Sequence, residues 1–193
     1  ADMQNTDKVV RLVQECNHRK VKLLSPDINH SYFIFTVSGK GEIIYGLGAI
    51  KGLGEGPVEG IITAREKGGN FVDLFDFCSR VDAKKINKRT LEALIRSGAM
   101  DSIGPAGEPG YQRTVMLSAM SEAVKTAEQH ARNETIGITD LFGEKPNDPA
   151  IECKYKKFNH ISSETSKERL SGERDTLGLY LSGHPVDEYS DEL

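Results

Sequence analysis

"GLGAIKGLGEGPVEG", running from Gly46 to Gly60, places glycine at six of its fifteen positions. Such density implies backbone that bends sharply or lies close to something else. Two nucleotide-cradling loops are excluded by spacing. A P-loop needs a Gly-Lys-Ser or Gly-Lys-Thr ending, which the sequence does not contain. A dinucleotide fingerprint built on Gly52 and Gly54 would need a third glycine where Pro57 stands. Built on Gly46 and Gly48, it would need one at Lys51.

A helix-hairpin-helix pattern fits instead. Leu47, Ile50, Gly52, Leu53, Gly54, Val58, Ile61 and Ile62 occupy its required positions, with Val58 bulkier than the usual alanine. In this reading Leu47 and Ile50 seat a first helix, Ile61 and Ile62 seat a second, and Leu53 plugs the gap. Gly52 and Gly54 allow positive φ and remove Cβ atoms that would block a phosphate. Pro57 suits the first turn of the second helix. The free N–H groups at that helix start, with Gly56 among them, form an anion site beside Lys51. Glu55 opposes it. The competing reading is a turn that joins two packed helices and holds no ligand.

A second basic cluster, "KKINKR", contributes Lys84, Lys85, Lys88 and Arg89 at the start of the next helix. Cations there oppose the helix dipole, so they do not serve that helix's stability. They are either a solvated face or further phosphate contacts. "RSGAMDSIG" resembles a degenerate second hairpin, so the motif is expected in tandem form.

Working outward, "NTDKVVRLVQECNHRK" predicts a helix with Val9, Leu12, Val13 and Cys16 on one face, capped by Asn5 or Thr6. A β-hairpin is expected over about 32–46, with Phe33, Phe35 and Val37 sharing a face. Further helices follow in "PVEGIITAREK", "FVDLFDFCSRV" and "NKRTLEALIRSG", the last capped by Asn87 and stopped by Gly98. A longer one runs from Gln112 to about Asn133, with Met116, Met120, Ala123 and Ala127 as its stripe. Residues 137–163 are poor in apolar side chains and read as a linker. "GERDTLGLYLSG" predicts a last helix ending at Gly183. The fold class is mainly α (α+β): a helical domain over 1–136, a linker, and a C-terminal helical segment, 164–193, leading toward a next domain.

Composition bounds the function. The net charge of −4 hides an asymmetry: residues 1–39 carry +1, 40–100 carry +2 and 101–193 carry −7. An acidic whole-chain balance therefore does not argue against a nucleic-acid surface in the first half. No run approaches a membrane span, so no membrane partner is expected. Cys16, Cys78 and Cys153 fit neither a disulfide framework nor a Cys-x-x-Cys site, which suits a reducing cytoplasm. His18, His30, His130, His160 and His184 share no metal-ligand spacing. Ser182, His184 and Asp187 lie too close along the chain for a triad. The sequence starts at Ala1 without Met and reads as a piece of something longer.

The wording from "NHRKVKLLSPDIN" through "AKKINKRTLEALIRSGAMDSIG", and again in "GERDTLGLYLSGHPVDEY", resembles the alpha subunits of bacterial DNA polymerase III over nearly the whole chain. The resemblance implies the later part of the fingers region, running toward the clamp-binding portion. It implies a parent that is a template-directed nucleotidyltransferase using Mg²⁺ and deoxynucleoside triphosphates in a bacterial cytoplasm. Its implied partners are primer-template duplex, the sliding clamp, the rest of the polymerase chain and the holoenzyme subunits. The palm aspartates lie upstream in that family, so the segment itself is expected to hold no catalytic residue, metal or cofactor. Asp73 and Asp76 in "DLFD" are expected on a helix's wet side. "IGITDLFGE" stands where relatives carry a clamp-binding peptide: Asp140, Leu141 and Phe142 match, and Ile138 replaces a glutamine. The reading is thus a non-catalytic segment that binds DNA backbone and clamp. The alternatives are a stand-alone duplex-binding module of a repair protein and a purely structural scaffold.

Overall fold

The computed structural model describes residues 3, 5–82, 85–135, 154–158, 160–183 and 185. Six helices and a small sheet share one core among these residues. Helix α1, Thr6–His18, opens with the Asn5 side chain accepting from the Lys8 amide, the expected cap. Val9 and Val13 are buried, but Leu12 is 65% exposed. The apolar stripe is therefore narrower than the sequence suggests. Leu12 stands beside it and faces outward.

The expected hairpin is present and shorter. Strand β2 is Thr36–Val37 and strand β3 is Ile43–Ile44, paired antiparallel across a turn in which Gly41 has φ +78°. A strand that the sequence reading missed, β1 at Leu23–Leu24, adds to the other side of β3 in parallel, giving the order β1-β3-β2. Tyr32 to Phe35 do not continue β2. The carbonyls of Tyr32 and Phe33 instead accept the amides of Leu47 and Gly48, at 2.8 and 2.9 Å. Phe33 and Phe35 pack against the core, whereas Val37 is exposed.

Four helices follow: α2, Glu55–Gly68; α3, Leu74–Arg80; α4, Lys88–Arg96; and α5, Pro109–Thr135. Asn87 caps α4, whose Leu91, Leu94 and Ile95 are buried, and Gly98 turns beyond it at φ +79°. On α5, Val115, Met116, Ala119, Met120 and Ala123 form the buried stripe against α3 and α4. Within the span 137–163 expected to be linker, Tyr155 is buried and its hydroxyl accepts from the Leu74 amide at 3.2 Å.

Helix α6 is Ser166–Leu177, starting earlier and ending earlier than the sequence suggests. Thr165 and Glu168 form a reciprocal capping box at its start. Gly178, at φ +80° and not Gly183, stops it, and a Cβ there would run into Thr6 of α1. Gly172 brings α6 close to Arg96 of α4. A buried ionic cluster locks this contact. Arg113 grips Asp101 through two hydrogen bonds, at 2.9 and 2.7 Å, and donates to Glu173 at 3.0 Å. The other Glu173 oxygen accepts the Leu181 and Ser182 amides, at 2.8 and 3.0 Å.

Candidate nucleic-acid interface

The glycine-rich stretch divides into two halves with opposite duties. Gly46 and Gly48 face inward. A Cβ on Gly46 would meet the backbone of Phe33 to Phe35 at 2.6–2.7 Å, and one on Gly48 would strike the Phe33 ring at 2.6 Å. Gly52, Gly54 and Gly56 face outward and are exposed, and a Cβ on Gly52 or Gly56 would meet nothing within 4 Å. The first helix of the hairpin is only a 3₁₀ turn, Leu47–Ala49. Leu53 fills the gap behind the loop at 3% exposure, and Val58 and Ile61 seat α2 below it.

The loop's amides separate in the same way. Ala49 and Leu53 donate within the turn, to Gly46 and Ile50. Lys51 donates its amide to the Thr176 carbonyl at 2.8 Å, tying the loop to the last turn of α6. The amides of Gly52, Gly54, Glu55 and Gly56 find no acceptor among the described residues. They sit at the start of a 14-residue helix, where aligned peptide dipoles favour an anion.

Positive φ is needed only once. Gly52 has φ +85°, while Gly54 is extended at φ −82° and ψ 174°. Gly54 is the N-cap of α2 and contributes openness, not an unusual backbone. Glu55 is the first residue of α2, where its charge complements the helix dipole. That accounts for an acid in a loop otherwise shaped for anions.

Of the basic residues, Lys51, Lys85, Lys88 and Arg89 are exposed, and none forms an ion pair with another described residue. Lys85 lies against α2 at Gly60, and Lys88 and Arg89 are the first two residues of α4. The structure therefore joins Lys85 to the hairpin helix. Lys84, Asp140, Leu141, Phe142 and Ile138 lie outside the described residues. The degenerate second hairpin faces inward. Ser97 to Met100 are buried, the Ala99 carbonyl accepts the Ile28 amide, and Asp101 is held by Arg113. Its turn at Ser97 to Met100 offers no exposed loop to a ligand.

Asp73 and Asp76 are not on a wet helix face. Asp73 is 1% exposed, caps α3 by accepting from the Asp76 amide, and pairs with Lys154 at 3.0 Å. Asp76 accepts from the Val72 amide and pairs with Arg80 at 2.9 Å. Both Asp73 oxygens and Asp76 Oδ2 are engaged in capping, turn hydrogen bonds and ion pairs, so these carboxylates serve the fold. Two other basic side chains are also structural. Arg65 donates to the Ile28 and Ser31 carbonyls, and Arg80 donates to those of Ala64 and Gly69. Burial, helped by the nearby Asp73 charge, pushes the Cys78 thiol up to about 12, so it is not a nucleophile at neutral pH.

Comparison with known proteins bears on this geometry. Residues 20–108 match the helix-hairpin-helix motif family. Over all of its length the chain is 55% identical to DNA polymerase III subunit alpha of Pseudomonas aeruginosa. It is 50% identical to that of Vibrio cholerae and 49% to that of Escherichia coli, again over 100% of the chain. The chain belongs, as a segment, with the DNA polymerase III alpha subunits. It spans only 16–17% of the length of these relatives. In this segment the words "PDIN" and "GERDTLGLYLSG" have local physical roles. Asn29 exchanges two hydrogen bonds with the Phe71 backbone, at 3.0 and 2.8 Å, and Glu173 anchors α6. No helix among the described residues is long and apolar enough to cross a membrane.

Sequence reasoning missed two contributors to this surface. One is Thr176, whose carbonyl holds the loop from behind, and a backbone contact leaves no mark on side-chain pattern. The other is Gly60, which falls outside the hairpin template. Its signal was a glycine inside an otherwise regular helix.

Proposed function

We propose that this segment grips duplex DNA by its backbone within a replicative polymerase. The observation that carries the reading is the outward loop of Gly52 to Gly56. Its unpartnered amides stand at a helix start beside exposed Lys51, in a chain that resembles DNA polymerase III alpha along its full length. Backbone amides and lysines engage phosphate oxygens and not base edges, so the grip is independent of sequence and weakened by salt. Lys84, Lys85, Lys88 and Arg89 extend it. Full-length similarity to the polymerase subunit disfavours a stand-alone repair module. The test is fluorescence anisotropy with two unrelated duplexes at low salt. Equal binding to both, weakened in Gly52→Val/Gly54→Val and in Lys85→Glu/Lys88→Glu, supports the reading. Absence of binding, or insensitivity to both variants, overturns it in favour of a scaffold.

Asp140, Leu141 and Phe142 form the second part of the proposal, a peptide for the sliding clamp. Adjacent apolar anchors in a polar segment suit a hydrophobic pocket on a partner. Ile138 in place of glutamine removes a hydrogen-bonding group and lowers affinity. Leu141→Ala/Phe142→Ala is expected to abolish retention by immobilised clamp, and unchanged retention would refute the assignment. The parent chain is proposed to carry out Mg²⁺-dependent nucleotidyl transfer with deoxynucleoside triphosphates, with catalytic carboxylates supplied from outside this segment. The segment alone should incorporate no nucleotide, and measurable incorporation would contradict that division.

A further inference from the structure

Gly60 occupies no required position of the hairpin pattern. It lies within α2 and is not among the residues of positive φ, so its backbone does not demand glycine. The space above it is tight, and a side chain there would press on Lys85. Cδ of Lys85 passes 3.1 Å from the point where a Gly60 Cβ would sit, with the Lys85 Cβ at 3.9 Å and Val81 Cγ1 at 3.8 Å. The missing side chain leaves a crease across α2, and the aliphatic stem of Lys85 lies in it. The chain is fixed there by the Lys85 amide donating to the Asp82 carbonyl at 2.8 Å. Gly56, with its unpartnered amide, is four residues earlier on α2. It therefore shares Gly60's face, about 6 Å away along the axis.

We propose that Gly60 is a positioning residue, which lets the Lys85 stem cross α2 so that its ammonium extends the Gly52–Gly56 anion site to a second phosphate of the same strand. This rests on the reading of the hairpin as a DNA-backbone site. Two further features agree with it. Lys85 is exposed and forms no ion pair with a described residue, so its charge is available to a ligand. A glycine inside a helix also weakens the helix relative to alanine. The position thus favours Lys85's path over the helix's own stability.

That trade gives a test with opposite signs. Gly60→Ala, Gly60→Leu, Lys85→Ala and Gly60→Leu/Lys85→Ala are compared by thermal melting. Duplex binding by anisotropy is followed from about 20 to about 200 mM salt. Gly60→Ala should melt higher than the wild type yet bind DNA more weakly. Gly60→Leu should match Lys85→Ala, with about tenfold weaker binding near 50 mM salt and a salt slope shallower by about 0.9, one phosphate contact. The double variant should lose nothing more. If Gly60→Ala and Gly60→Leu keep wild-type affinity and slope while Lys85→Ala loses both, the inference is wrong and the hairpin reading stands. Additive losses in the double variant would equally overturn it. If the wild type itself shows no binding, the hairpin reading fails first and takes this one with it.

Discussion

Gly52 and Gly54 look interchangeable in the motif, yet their backbones separate them. Gly52 sits at φ +85°, where an L side chain is strained, whereas Gly54 has an ordinary extended conformation with open space around it. Gly52→Ala should cost about 1–2 kcal/mol of stability, and Gly54→Ala should stay within about 1 kcal/mol of the wild type. Urea denaturation separates these two outcomes, and equal losses would contradict the loop geometry. Glu55 gives a prediction of the other kind. At the first residue of α2 it stabilises the helix dipole by about 0.3–1 kcal/mol, while repelling phosphate. Glu55→Gln should therefore lower stability slightly and raise DNA affinity, measured by anisotropy at low salt. The spacing of Leu47, Ile50, Leu53 and Ile61 was enough to read the hairpin's packing residues from sequence. The split between inward Gly46 and Gly48 and outward Gly52 to Gly56 was not. It depends on Phe33 and its neighbours folding back onto the first pair, and that contact arises from chain segments far from the motif's own pattern.

At the scale of elements, the hairpin loop is held from behind by α6. The Lys51 amide bonds the Thr176 carbonyl, and the buried Tyr45 hydroxyl donates to the Leu177 carbonyl at 3.5 Å. The α6 helix is in turn fixed by the Arg113, Asp101 and Glu173 cluster. Arg113→Met would leave two largely buried carboxylates without their cation, a loss of about 3–5 kcal/mol in urea melts. Hydrogen exchange should then show the Lys51 amide losing protection together with α6. Glu173 sets a pH dependence. Burial pushes its carboxyl up, but the Ser182 and Leu181 hydrogen bonds and Arg113 outweigh this and hold it below the usual range. A carboxyl depressed in the folded state stabilises the fold above its unfolded value, near 4.3. That contribution falls away as pH drops through the lower folded value. Wild-type stability should decline over that acid window, and Glu173→Gln should remove this component. The helices themselves were legible because caps and stripes are local: Asn5, Asn87 and the α5 methionines all do what their positions suggest. The end of α6 was not: Gly178 stops the helix in a left-handed cap, and Thr6, far away along the chain, leaves no room there for a side chain.

At the scale of the whole molecule, a net charge of −4 taken alone argues against DNA binding. The relevant field is local, because salt screens charges beyond roughly 8–10 Å. Lys51, Lys85, Lys88 and Arg89 are exposed at the hairpin loop and at the starts of the neighbouring helices. The acidic excess lies in residues 101–193. With Lys84 added, the five cations of the proposed grip engage at most about five phosphates, so the salt slope should not exceed roughly 4.5. On the proposed reading the segment is a weak grip alone, expected in the range of about 10⁻⁴–10⁻⁶ M at physiological salt, and a useful one only beside other contacts. On that reading a consequence follows for the complete alpha subunit. A loop that holds backbone without touching the reacting atoms contributes to DNA binding equally in the ground and transition states. Gly52→Val/Gly54→Val in the complete alpha subunit should therefore raise KM for primer-template and leave kcat at saturating DNA unchanged. The shift in KM should shrink as salt rises, because salt already suppresses the contact being removed. Steady-state incorporation on one primer-template at two salt concentrations tests both parts. A fall in kcat with unaltered KM would mean that the hairpin acts on the chemical step, contrary to a role in holding the duplex.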